Sequence, residues 1–167
     1  MKQIIIFLLL AITLSINGQN PTDSLNKFTY PLREKIEKPY HPEENAEQQL
    51  AKLIVQAKKE HKNIFIQAGG NWCGWCLRFN YFVHNEPDLK QIIDKNYLYY
   101  HLNYSPENRN ETVFNRYIEK EKRYGYPFFI ILSGDGKLLC VQESGILEED
   151  KGYNTEKVKQ FLLKHCP

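Results

Sequence analysis

The chain has no strong excess of either charge, no internal repeat and no low-complexity tract. Its formal charge is +2 over 167 residues, and Lys2 is the only charged side chain before Asp23. That balance gives no argument for nucleic acid or an anionic membrane surface, so no nucleic-acid partner is expected. No glycine-rich phosphate loop follows an expected strand, which removes the argument for a nucleotide. The histidines, His41, His61, His84, His101 and His165, show no metal-binding spacing, and no metal site is expected. Cysteine is scarce as well. Cys73, Cys76, Cys140 and Cys166 are the full set, and four cysteines allow three pairings. The length suffices for one domain with a real core and hardly for two.

The N-terminus differs in kind from the rest. Lys2 precedes the apolar run Ile4 to Ile12, a basic n-region and an h-region too short to span a membrane comfortably. Residues 1–18 are expected to be a signal peptide, cut between Gly18 and Gln19. The alternative is an uncleaved signal anchor. Export implies a compartment where disulfides persist, and the periplasm is the expected location. Residues 19–39, with Pro21, Pro31 and Pro39, read as an arm or linker, and residues 40–167 as the domain.

Periodicity supplies the elements. A helix is expected from about Glu43 to His61, with Pro42 suited to a first helical position and Ala46, Leu50, Leu53, Ile54 and Ala57 on one face. Ile64 to Ala68 reads as a buried strand, followed by a turn signal at Gly69-Gly70-Asn71. A helix should open at Cys73, be interrupted near Pro87 and resume through Leu89, Ile92 and Ile93. Tyr97 to Asn103 is a second strand, and Asn110 to Lys122 a third helix. Phe128 to Leu132 and Lys137 to Val141 form a hairpin about Ser133-Gly134-Asp135-Gly136. Asn154 or Thr155 caps a last helix. The sum is an α/β fold with a mixed central sheet flanked by helices and an N-terminal extension.

Cys73-Gly74-Trp75-Cys76 carries the chemistry. Two cysteines at this spacing close a small disulfide ring on the first turn of a helix. There the unpaired N–H groups and the helix dipole favour an anion, and the thiolate is the reactive form. Cys73 would attack a substrate disulfide, and Cys76, one turn further in, would resolve the mixed disulfide. Two other readings compete. Half of a zinc site lacks the remaining ligands, because Cys140 and Cys166 form no second close pair. A purely structural disulfide would stabilise little, since its loop is very short. Leu77 follows Cys76, so the CxxCH haem pattern is absent. Trp72 and Trp75 flank the sulfurs and would form an apolar substrate surface, with partial burial of Trp72 an equal alternative. Cys140 and Cys166 are either bridged or, by the more frequent pattern, free and buried.

At Asn71-Trp72-Cys73-Gly74-Trp75-Cys76 the chain resembles the thioredoxin superfamily. Within it, the chain is similar to the exported thioredoxin-like proteins of the Thioredoxin_7 type found in many Bacteroidetes. The likeness covers about residues 40–165. It implies a cis-proline at Pro127, within Tyr124-Gly125-Tyr126-Pro127, beside the sulfurs. It also implies that the backbone of Tyr126 pairs with an extended substrate. Gln67 stands where many thioredoxins carry a buried Asp, and it cannot accept a proton at neutral pH. Gly74-Trp75 replaces the common Gly-Pro that tunes the potential. The expected activity is exchange on protein thiols and disulfides in the reducing or isomerising direction. No cofactor beyond the Cys73–Cys76 pair is implied. Electrons would come from a membrane thiol transporter, and a monomer is expected. The competing class is a binding module in which the disulfide stays closed.

Overall fold

The computed structural model describes residues 28–119 and 123–167. The expected signal peptide, its cleavage site and the first part of the arm lie outside the described residues. The element order is α1 (Ala46–Glu60), β1 (Asn63–Gly69), α2 (Gly74–Asn85), α3 (Pro87–Asn96), β2 (Tyr97–Asn103) and α4 (Glu111–Tyr117). Then follow β3 (Phe128–Leu132), β4 (Leu138–Glu143), the two-residue strands β5 (Glu148–Glu149) and β6 (Gly152–Tyr153), and α5 (Thr155–Lys164). The main sheet runs β2-β1-β3-β4. β1 is parallel to β2 and antiparallel to β3, and β3 is antiparallel to β4. The mixed sheet expected from the sequence is therefore present.

β1 is buried along its whole length, because it lies inside the sheet with helices on both faces. Strand alternation assigns its side chains. Ile64, Ile66 and Ala68 join Leu50 and Ala57 of α1 and Val113 and Phe114 of α4. Phe65 points the other way and joins Phe79 and Phe82 of α2, Leu89 and Ile93 of α3, and Phe161 of α5. Phe65 stacks on Tyr99 at 4.9 Å and lies 5.3 Å from Phe129.

Two helix limits differ from expectation. α1 starts at Ala46 rather than Glu43, because the Asn45 side chain accepts from the Gln48 N–H at 3.0 Å. Pro42 sits in the turn before it. α4 ends at Tyr117 rather than Lys122. Ile118 takes extended backbone and, with Tyr117, packs on the α1-side core. The glycine turn signal also begins one residue late, since Gly69 is still strand. The β3–β4 hairpin turns where expected, with Gly136 at φ 82° against Ile54.

Candidate active site

The C-terminal end of β1 runs through Gly70 into α2, and Cys73 is the N-cap of that helix. Its sulfur takes the place of a capping oxygen: the Cys76 N–H donates to Cys73 Sγ at 3.1 Å. The free N–H groups and the positive end of the dipole of α2 therefore face this sulfur, which favours its thiolate. Cys73 and Cys76 are joined as a disulfide, with their Cα atoms 5.2 Å apart. Both are buried, but unequally: Cys73 keeps 6% of its surface exposed and Cys76 none. Cys76 is the less exposed of the two, as expected. The degree does not match a freely open sulfur, because Tyr40, Trp75 and Tyr126 pack around the pair.

The other sequence-named residues gather here. The Tyr126–Pro127 bond is cis; Pro127 is buried, and Tyr126 touches the sulfur cluster. Trp72 is 50% exposed. Its indole donates to the Tyr104 carbonyl at 2.7 Å, and its ring meets Tyr126 edge-on at 5.5 Å. Tyr126 in turn stacks on Tyr104. Trp75 is half-buried rather than presented to solvent, because Tyr153 meets it edge-on and the Arg78 guanidinium covers it at 5.5 Å. Gly74 lies beneath the Arg33 side chain, with space of 3.7 Å where a Cβ would stand.

Gln67 is fully buried under Cys76. Its amide donates to the Cys76 carbonyl at 2.9 Å and to the Tyr40 hydroxyl at 2.6 Å, and its oxygen accepts from the Tyr99 hydroxyl. Among the described residues no carboxylate takes part in this network. Burial holds the Tyr40 and Tyr99 phenols well above their usual range. Next to them, burial pushes His101 down to about 3, helped by His84 and His41. The pocket behind the sulfurs is thus neutral at physiological pH.

Several site residues escaped the sequence reading. Tyr40 comes from the segment ahead of α1 and is locked by two hydrogen bonds with Asn71. Arg33, in a 3-10 turn (Arg33–Lys35), donates to the Trp72 carbonyl at 2.5 Å. An aromatic residue between Pro39 and Pro42 in a polar stretch was the one available signal for Tyr40. Beyond Trp72 a mainly apolar groove of about 630 Å³ is lined by Pro42, Trp72, Tyr104, Pro106 and Arg109, among others. Cys140 and Cys166 are free; their bridge is not formed.

A CxxC disulfide at the mouth of α2, beside the cis Tyr126–Pro127 bond that leads into β3, sits on a mixed sheet flanked by helices, a thioredoxin-like architecture. Residues 45–134 match the Thioredoxin-like family model Thioredoxin_7, and the chain belongs to that family. No curated protein matches it. Among solved structures, it resembles a disulphide isomerase from Xylella fastidiosa Temecula1. Identity there is 22% over 77% of this chain and 97% of the other, with a TM-score of 0.66. It also resembles the oxidoreductase DsbH, at 18% identity over 84% and 95% of the two chains, with a TM-score of 0.49. At 22% identity the likeness to the disulphide isomerase shows the fold alone.

Proposed function

We propose that the protein is an exported thiol–disulfide oxidoreductase acting on protein disulfides in the reducing or isomerising direction. The observation that carries this reading is the Cys73 sulfur at the N-cap of α2, disulfide-bonded to Cys76. In the reduced enzyme, Cys73 thiolate attacks one sulfur of a substrate disulfide. A Cys73–substrate bond forms, the substrate S–S bond breaks, and the electron pair leaves on the second substrate sulfur, which takes a proton from water. Cys76 thiolate then attacks Cys73 and displaces the first substrate sulfur. The substrate gains two electrons and the Cys73–Cys76 pair loses two. The peptide edge at Tyr126 and the aromatic shelf of Trp72, Tyr104 and Tyr126 suit an extended protein segment better than a small thiol. The basic-then-apolar N-terminus supports a periplasmic location. There a membrane thiol carrier would re-reduce the pair.

The test is trapping. Cys76→Ser should accumulate mixed disulfides with exported proteins, and Cys73→Ser should abolish insulin reduction, a loss of at least a hundredfold. Undiminished insulin reduction by Cys73→Ser would end the proposal. A second reading, a binding module with a closed structural disulfide, is favoured by the 6% exposure of Cys73. The reduction potential separates them: a value below about −300 mV suits a structural bridge, and a higher one suits exchange.

A further inference from the structure

We propose that the Tyr40 hydroxyl donates a hydrogen bond to the Cys76 thiolate in the reduced protein, stabilising the form of Cys76 that attacks in the resolving step. The functional part of this rests on the exchange reading; the hydrogen bond does not.

The direction of each hydrogen bond follows from its chemistry. The Cys76 carbonyl can only accept, so the Gln67 group 2.9 Å from it is the NH₂. Its other end is then the carbonyl oxygen, and Tyr99 must donate to it. The second amide hydrogen goes to the Tyr40 oxygen at 2.6 Å. Tyr40 therefore receives a hydrogen bond and keeps its own hydrogen to give. No other described residue accepts that hydrogen. Cys76 Sγ is the nearby candidate: a Cβ built on Gly69 would lie 2.5 Å from Cys76 Sγ and 2.9 Å from the Tyr40 hydroxyl oxygen, and the bond would form only once the disulfide is opened. Both atoms thus border the same gap beside β1, and only a glycine leaves that gap open.

Donation runs in one direction, from Tyr99 to Gln67 and from Gln67 to Tyr40. Such chains strengthen the terminal bond, because each group polarises the next. The terminal acceptor is weak as a disulfide and strong as a thiolate. The network thus favours the one state of Cys76 that can attack Cys73. No member accepts a proton: both phenols are held protonated by burial, and an amide is no base at neutral pH. When a donor thiolate reduces the pair by attacking Cys73, Cys76 departs as the thiolate, so no base beside it is required and Tyr40 keeps its own proton. Resolution then forms the Cys73–Cys76 bond and breaks the Cys73–substrate bond, and the electron pair departs on the substrate sulfur.

The test is titration in the full-length chain, with Cys140 and Cys166 replaced by alanine. In the Cys73→Ser form only Cys76 remains, and its thiolate is followed by absorbance at 240 nm. Tyr40→Phe removes the hydroxyl and keeps the ring. It should raise the Cys76 midpoint by about one pH unit, or tenfold less thiolate at a fixed pH below the midpoint. Cys73, read in the Cys76→Ser form, should move by less than a third of that. In stopped-flow with both cysteines present, decay of the mixed disulfide should slow about tenfold. An unchanged Cys76 midpoint, or an equal rise for both cysteines, would overturn the proposal. Should Tyr40→Phe fail to fold, Tyr99→Phe removes the outer donor and should raise the Cys76 midpoint by about half a unit; no rise there overturns it equally. Because the titration needs no turnover, an unaltered protein inert toward insulin would end the exchange reading and leave this result standing.

Discussion

His101 lies beside the sulfur pocket with its Nε2 3.0 Å from the Asn80 side-chain oxygen. An amide oxygen accepts, so Nε2 carries a hydrogen, and burial favours the neutral ring. Tyr40 and Tyr99 meet the ring at 5.1 Å and 4.9 Å, leaving poor solvation for a cation. With the folded pKa pushed down to about 3 by burial, against an ordinary value near 6.5, the unfolded chain binds this proton first. The stability contributed by keeping His101 neutral is complete above pH 6.5 and is lost as pH falls toward 3. One proton gives a slope of at most about 1.4 kcal/mol per pH unit. Urea unfolding at pH 7 and pH 4.5 should show a larger loss in the unaltered protein than in His101→Gln, which has nothing to titrate. Equal losses would remove His101 as a source of acid sensitivity. At this scale Cys73 and Cys76 were legible because motif and spacing name them, and Pro127 through the family resemblance alone. Gln67 was legible only as a departure from a resemblance; that its partners are phenols depends on Tyr40 and Tyr99, which are distant from it in sequence.

Elements were legible where periodicity is long, and their ends where a cap is chemically explicit. α5 begins after Asn154, whose side chain accepts from the Lys157 N–H at 2.9 Å, as the sequence suggests. α1 begins later than its acidic lead-in suggests, because Asn45 competes successfully with Pro42 for the role of start signal. Helix ends are decided by hydrogen-bond partners that a periodic pattern does not contain. β5 and β6 were invisible, since two-residue strands carry no period. They are held by packing: Tyr153 is buried against Phe79 and Phe82. The cap of α1 gives a direct test. Asn45→Ala should cost about 1 kcal/mol, lowering the melting temperature by roughly 2–4 °C, with insulin reduction unchanged at 25 °C. A shift below half a degree would mean that the Gln48 N–H finds water as good a partner.

At the scale of the molecule, the family match begins at residue 45, yet the site is completed by residues before it. The stretch 28–40, read from sequence as the end of an arm and the domain edge, lies on the domain surface. Phe28 meets Phe82 edge-on at 4.9 Å, and the Tyr30 hydroxyl accepts from the Tyr153 N–H at 3.2 Å. Ile36 and Tyr40 are 5% and 2% exposed. Proline-rich composition says nothing about where such a stretch lies, and its few apolar side chains have no periodicity to betray a buried face. Burying Ile36 and Tyr40 contributes about 1.5–3 kcal/mol each. A chain beginning at Pro42 should therefore be less stable than one beginning at Phe28 by roughly 3–6 kcal/mol, measured by urea unfolding of the oxidised proteins. The same deletion removes the wall beside Cys76, so in the reduced shortened chain both sulfurs should react with iodoacetamide. In the longer chain Cys73 alone should react within the same minutes, because Cys76 is sealed by Tyr40 and Gly69. If the two chains unfold at the same urea concentration and Cys76 stays silent in both, the segment is a passenger. If stability falls and Cys76 opens, the redox centre belongs to a unit larger than the family's common core.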